Sequence, residues 1–317
     1  TDRMYPISDR IQERKGRYIM ESYEFLLFLA IILFATKICG LFSRKFHMPQ
    51  VVGALLAGVI LGPSVLNLIS FDGATGSYLE ITAEIGVILL MFSAGLETDL
   101  TELKENGVAS FITAGIGVLV PLFGGFLSYA LYFHTDFGDF MEVLKAVFVG
   151  VVLTATSVSI TVETLRELGK LKGRVGTTIL GAAVIDDIMG IIVLTVVTSI
   201  EDTSVNPFTV LLKIVLYFIV IAIVAFVMFK CKKLIEGAGE KRRVTIFAIA
   251  FCFLLSYVSE QFFGIADITG AYFAGLMLCN MKIGDYIKAR AEVPSYLLFS
   301  PVFFASIGIK TDRKSVV

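Results

Sequence analysis

Ten apolar runs of membrane-spanning length follow one another along the chain, at residues 25–43, 51–69, 79–96, 107–133, 144–165, 175–200, 208–229, 244–263, 265–281 and 293–309. The hydrocarbon core of a bilayer takes about 20 apolar residues of helix to cross. Inside it only helices and closed barrels satisfy their own backbone polar groups. Uninterrupted runs of this length select helices. The expected fold is therefore an all-α polytopic membrane protein of about ten transmembrane helices, the ninth short. Hydrophobic residues make up 56% of the 317, charged residues 17%, and the mean hydropathy is +0.83. Those values lie outside the range of soluble domains.

Basic residues fall in alternate connections. Arg44 and Lys45 follow the first run, Lys104 the third, and Arg166, Lys170, Lys172 and Arg174 the fifth. Six lie between Lys230 and Arg243, and Lys282, Lys288 and Arg290 follow the ninth run, whereas the even-numbered connections hold Lys145 alone. Sixteen against one assigns the odd-numbered connections to the cytoplasm. The expected location is the inner (plasma) membrane, crossed many times. Both chain ends break the alternation, with five basic residues in 1–19 and three in the tail KTDRKSVV, 310–317. These two segments are read as non-native extensions of a transport domain at 20–309.

The same distribution argues against several functions. The basic residues form no domain of their own, so nucleic acid is not an expected partner. Cys39, Cys231, Cys252 and Cys279 show no CxxC spacing, and His47 and His134 are far apart, so neither a disulfide framework nor a metal centre is expected. No Gly-rich phosphate loop supports ATP-driven transport. No cofactor is expected; the partners are small ions and the lipid bilayer.

Within the sixth run, GTTILGAAVIDDIMGIIVLTVVTSI, Asp186 and Asp187 stand side by side at mid-length. Two Asp residues at the centre of a spanning helix oppose insertion by about 5 to 7 kcal/mol, and the twelve Ile, Val and Leu residues between Ile179 and Ile200 return about 4 to 7 kcal/mol. Insertion is close to balanced, and intramembrane carboxylates of this kind mark ion or proton paths. Adjacent helical residues point about 100° apart, so the two acids cannot face each other as an aspartyl-protease dyad, and an enzyme is not expected. Asp187 shares a face with Ala183 and Gly190, extended by Gly176, leaving room for another backbone to approach. That face is the candidate ion site. Asp186 points elsewhere, as the partner of a basic residue or as a second titrating group. A site of this kind holds either a proton or a small cation, and competition between the two is a basis for exchange.

In the fifth run, VVLTATSVSITVETL, five of the eight residues from Thr154 to Thr161 bear hydroxyls. Such a cluster competes for backbone groups and favours bending or unwinding. Unwound backbone at membrane depth lines cavities, so Thr156 and Ser157 are candidate cation ligands; the alternative is hydroxyls bonding back to the preceding turn of a bent, packed helix. Among the remaining acids, Glu84 lies within the third run at a depth that calls for a partner and is a secondary candidate site. Glu97 and Asp99 are expected to be solvated at the cytoplasmic end of that run. Asp267 opens the ninth run as a helix-start residue. The Gly and Pro residues of the second and fourth runs are read mainly as packing positions.

TATSVSITVETL, followed about thirty residues on by GAAVIDDIMG, with VVGALLAGVILGPSVL, AEIGVILLMFSAGLETDL, ITGAYFAGLML and SPVFFASIGIKTD in the same order, resembles the monovalent cation:proton antiporter superfamily. The likeness is to the bacterial Na+/H+ antiporters of the branch that also contains the Kef-type potassium efflux systems, and it covers roughly Met20 to Thr311. It implies an inverted-repeat fold in which the fifth run is one of two crossing discontinuous helices. Asp187 would be the ion and proton carrier, Asp186 the accessory acid, and Thr156 and Ser157 part of the unwound crossing. It also implies a homodimer in which a core, here 107–200, moves against a dimerisation and scaffold side, here 20–96 and 208–309. Members of the superfamily typically have about thirteen spans, and this chain lacks the last three. The second crossing helix would lie there, with the Lys that pairs with the first Asp in electrogenic relatives. On that reading the chain is a truncated form.

The function expected is secondary exchange of protons for Na+, with Li+ or K+ as further cations, bound as a monovalent metal at Asp187. A gated potassium efflux pathway and an inactive antiporter fragment are the alternatives.

Overall fold

A computed structural model of the chain describes residues 7–71, 73–201, 206–237 and 239–311. Among these residues the regular structure is entirely helical, without a strand. In chain order the helices are α1 (Ile7–Lys45), α2 (Gln50–Leu61), α3 (Gly73–Glu97), α4 (Leu100–Glu105), α5 (Gly107–Phe133), α6 (Phe140–Thr154) and α7 (Val158–Glu167). There follow α8 (Arg174–Glu201), α9 (Pro207–Gly237), α10 (Arg242–Val258), α11 (Asp267–Leu278), α12 (Gly284–Pro294) and α13 (Ser300–Lys310). A π-helical turn, Ser259–Phe263, extends α10, and another, Ser295–Phe299, joins α12 to α13 directly after Pro294, where the missing proline N–H breaks the regular hydrogen-bond ladder.

Eight helices among the described residues are long and apolar enough to cross a membrane, which makes the chain a multi-pass membrane protein. Eight of the ten runs correspond to them, and two do not. The second run, read as 51–69, is helical only to Leu61. There Gly62 caps the helix, its N–H donating to the Gly58 carbonyl at 2.8 Å, and Pro63 follows. The next residues fold back over the helix end, with Asn67 in the left-handed region and the N–H groups of Leu68 and Ile69 donating to the Leu61 carbonyl. The ninth run holds the 12-residue α11. Of the terminal segments read as non-native, residues 1–6 and 312–317 lie outside the described residues, and 7–19 continue into α1.

The chain forms two compact units, one of residues up to Leu90 with those from Glu292 onward, the other Met91–Ala291. In the first, Ile32, Ile69, Leu79, Val302 and Ile309 form a buried core. Close helix crossings surround it: a Cβ on Gly58 would strike the Ala305 carbonyl, and one on Gly308 the Leu55 carbonyl.

In the second unit α8 packs against α4, α5, α6, α7 and α9, and α10 packs against α11. Gly150 of α6 lies so close to α5 that a Cβ would meet the Leu122 carbonyl, and small residues permit this approach. Asp99 caps α4, accepting from the Thr101 N–H at 2.7 Å. That short helix is tied to the start of α8 by Thr177 Oγ1 donating to Glu102 at 3.1 Å and Arg174 Nε donating to Asn106 Oδ1 at 3.1 Å. These bonds fix the register of the helix carrying the Asp pair.

Candidate functional site

The fifth apolar run breaks where its hydroxyls cluster. α6 ends at Thr154, whose hydroxyl donates to the Val151 carbonyl at 2.8 Å. Ala155 and Ser157 are extended, and α7 begins at Val158. Ser157 is the N-cap of α7, its Oγ accepting from the Ile160 N–H at 3.4 Å. The Thr156 hydroxyl donates to the Thr154 carbonyl at 3.3 Å. Ala155, Thr156 and Ser157 all present exposed side chains.

α8 passes this break with its two acids on different faces. Asp186 is buried at 9% exposure, near Gly117 of α5 and beside Thr156. Its Oδ1 has no hydrogen-bond partner, and no basic residue pairs with it among the described residues; of the two roles expected for it, the second titrating group is the one they leave.

Asp187 lines a small pocket with Leu180 and Val184 of its own helix, Met91 of α3, Val158 of α7, and Ile268, Thr269 and Tyr272 of α11. About 10 Å³ there is open to the centre of a water-sized body, which is room for roughly one water molecule. Among the described residues Asp187 has no hydrogen-bond or ion-pair partner. The face it shares with the pocket runs through Leu180 and Val184. Gly190, expected to admit another backbone, faces open space, and Gly176 lies against its own preceding loop at Lys170 and Leu171.

Glu84 belongs to the first unit and is exposed on α3 rather than buried against a partner. Glu97, expected to be solvated, is half-buried with its side chain enclosed. Its Oε1 lies 3.5 Å from Arg166 Nε and 3.3 Å from Lys288 Nζ, and Arg166 Nη1 also donates to Glu163 Oε2 at 3.1 Å. The carboxylates of Glu97 and Glu163 are 6% and 4% exposed. The cluster joins the ends of α3 and α7 to α12, so three connections that the charge distribution assigns to one side meet in space. Sequence reasoning missed it because local sequence shows charges at run ends, and burial arises only when distant ends converge. Asp99 is exposed, as expected. Asp267 opens α11, its Oδ1 accepting from the Ile268 N–H at 2.7 Å.

Comparison with known proteins agrees with this architecture. The chain resembles the solved sodium proton antiporter MjNhaP1 of Methanocaldococcus jannaschii with a TM-score of 0.65 at 19% identity, over 93% of this chain and 72% of that one. It is 40% identical to the probable Na+/H+ antiporter GerT of Bacillus cereus, over 91% of this chain and 74% of that protein. It is 38% identical to the Na+/H+-K+ antiporter GerN of the same organism, over 90% and 72%. The family model for the transmembrane sodium/hydrogen exchanger matches residues 29–317. The chain belongs to the sodium/hydrogen exchanger family.

Proposed function

We propose that the protein is a secondary active antiporter exchanging protons for a monovalent cation, Na+ first and Li+ or K+ with it, and that Asp187 carries both. The observation that supports this most directly is the unpartnered carboxylate of Asp187 at the middle of α8, facing a pocket with room for about one water. Glu97 and Glu163 are ion-paired; Asp187 is not. A carboxylate kept without a fixed counter-charge in a low-dielectric site must acquire one, and a proton and a small cation are alternative occupants. Either leaves the site neutral, and a neutral site crosses the membrane far more readily than a bare charge.

Asp186 acts in this reading as the accessory acid beside Thr156. Thr156 and Ser157 supply oxygen atoms at the break between α6 and α7. The names of the relatives, which print Na+/H+ and Na+/H+-K+ exchange, support the choice of cations. The resemblance supports a homodimer in the inner membrane, working without a cofactor.

The test is cation-induced collapse of a preset pH gradient in vesicles containing the chain, with Na+, Li+ and K+ beside an Asp187→Asn variant. Cation-dependent proton movement that is lost in the variant is the expected result. Potassium flux without proton movement would replace exchange with a gated pathway, and a well-inserted but inactive chain would refute activity for this polypeptide.

A further inference from the structure

We propose that Thr269 is a cation ligand of the Asp187 pocket and that its hydroxyl oxygen biases the site toward a small cation. This rests on the reading of Asp187 as the carrier.

Of the residues lining the pocket, only Asp187, Thr269 and Tyr272 bring polar side-chain atoms. The Tyr272 hydroxyl lies 3.3 Å from Thr98 Oγ1. Thr269 is 3% exposed, and among the described residues its hydroxyl has no hydrogen-bond partner. Threonines here commonly bond back to a carbonyl three or four residues earlier, as Thr36, Thr82, Thr178 and Thr195 do; Thr269 makes no such bond among the described residues. Its N–H is satisfied by the Ala266 carbonyl at 2.9 Å, leaving the side chain free to serve the cavity. A hydroxyl oxygen on the wall of the pocket, with no bond to its own helix, is available to accept a cation.

The pocket's size makes that oxygen matter. With room for about one water, an entering cation sheds most of its hydration shell, and protein oxygens must replace it. The carboxylate of Asp187 and the Thr269 hydroxyl are the oxygens the pocket lining offers besides the Tyr272 hydroxyl, and ligand number and cavity size govern discrimination among alkali cations. The positive end of α11 would oppose a cation nearby; Asp267 in the same first turn offsets it.

Thr269→Val keeps the side chain's shape and removes the oxygen, and Thr269→Ser keeps the oxygen. Proton flux driven by Na+, Li+ and K+ is measured in vesicles for the unmodified chain and both variants. The Val variant is expected to raise KM for Na+ and Li+ about five- to tenfold, the range of one lost polar contact, with kcat changed less than about twofold, while Ser retains a near-normal KM. An unchanged KM in Val, or equal impairment in Ser and Val, overturns the inference while leaving the antiporter reading intact. Stabilisation of the purified chain against heating by added Na+ reads binding without transport. It should persist in Ser and weaken in Val. An unmodified chain that neither exchanges nor is stabilised by Na+ overturns both readings.

Discussion

Replacing Arg166 with Met removes the hub of the charge cluster that ties α3, α7 and α12 together. The consequences for its two acids differ. Glu97 keeps Lys288 at 3.3 Å, but Glu163, 4% exposed, has Arg166 as its ion-pair partner at 3.1 Å and is left enclosed without one. Removing one member of a buried pair costs about 3 to 5 kcal/mol, chiefly through the acid left enclosed without its partner. Lys288→Met leaves Glu97 on Arg166 and removes a partly exposed amine, so it should cost no more than about 1 kcal/mol. Arg166→Met combined with Glu163→Gln should recover most of the loss, because no buried charge is then stranded. Thermal unfolding of the chain in one detergent or nanodisc, with the four proteins side by side, reads the order. At about 2 °C per kcal/mol for a chain of this size, the single Arg variant should melt about 6 to 10 °C lower and the double variant within a few degrees of the parent. An Arg166→Met protein that melts within about 2 °C of the parent, or a double variant no better than the single, would refute the reasoning. The Arg166 Nε and Nη2 atoms are buried without hydrogen bonds, so the intact cluster adds little net stability even though breaking it is expensive.

Two further outcomes follow from packing. Gly275→Ala places a Cβ against the Phe92 carbonyl and 2.8 Å from the Leu96 N–H, so it should destabilise by about 1 to 3 kcal/mol, whereas Gly115→Ala, with nothing within 4 Å, should be neutral or mildly stabilising; thermal midpoints of the two distinguish them. Tyr217→Phe removes a hydroxyl that accepts from Ser259 Oγ at 3.1 Å in a 1% exposed position and should lower stability by about 1 kcal/mol, without changing the cation dependence of proton flux.

Much of this architecture is legible in the sequence because membrane helices declare themselves by length. The break after Thr154 is legible too, since five hydroxyls in eight residues contest the helix from within. Hydropathy alone misjudged the second run. Residues 62–69 still carry Val65, Leu66, Leu68 and Ile69 within a run of spanning length, and the Gly62-Pro63 pair marks where the backbone turns back. The face of Asp187 was assigned by helical periodicity to Ala183 and Gly190, but the neighbours that define the pocket come from α3, α7 and α11. Glu97 and Thr269 show the limit most clearly. The ion pairs of Glu97 depend on Arg166 and Lys288, far along the chain, and the place of Thr269 in the pocket depends on α11 meeting Asp187 of α8, about eighty residues earlier.

The cluster of Glu97, Glu163, Arg166 and Lys288 also separates two electrical roles. With both acids ionised, two acids and two bases sum to no net charge, and a displacement of the cluster along the membrane normal then does almost no work against the transmembrane voltage. A lone elementary charge moved across the full field exchanges about 2.3 kcal/mol per 100 mV. The unpartnered carboxylate on α8 is such a charge whenever it is empty. On the proposed reading of Asp187 as carrier, voltage acts on that carboxylate and its occupants, while the ion pairs at the end of α7 contribute little.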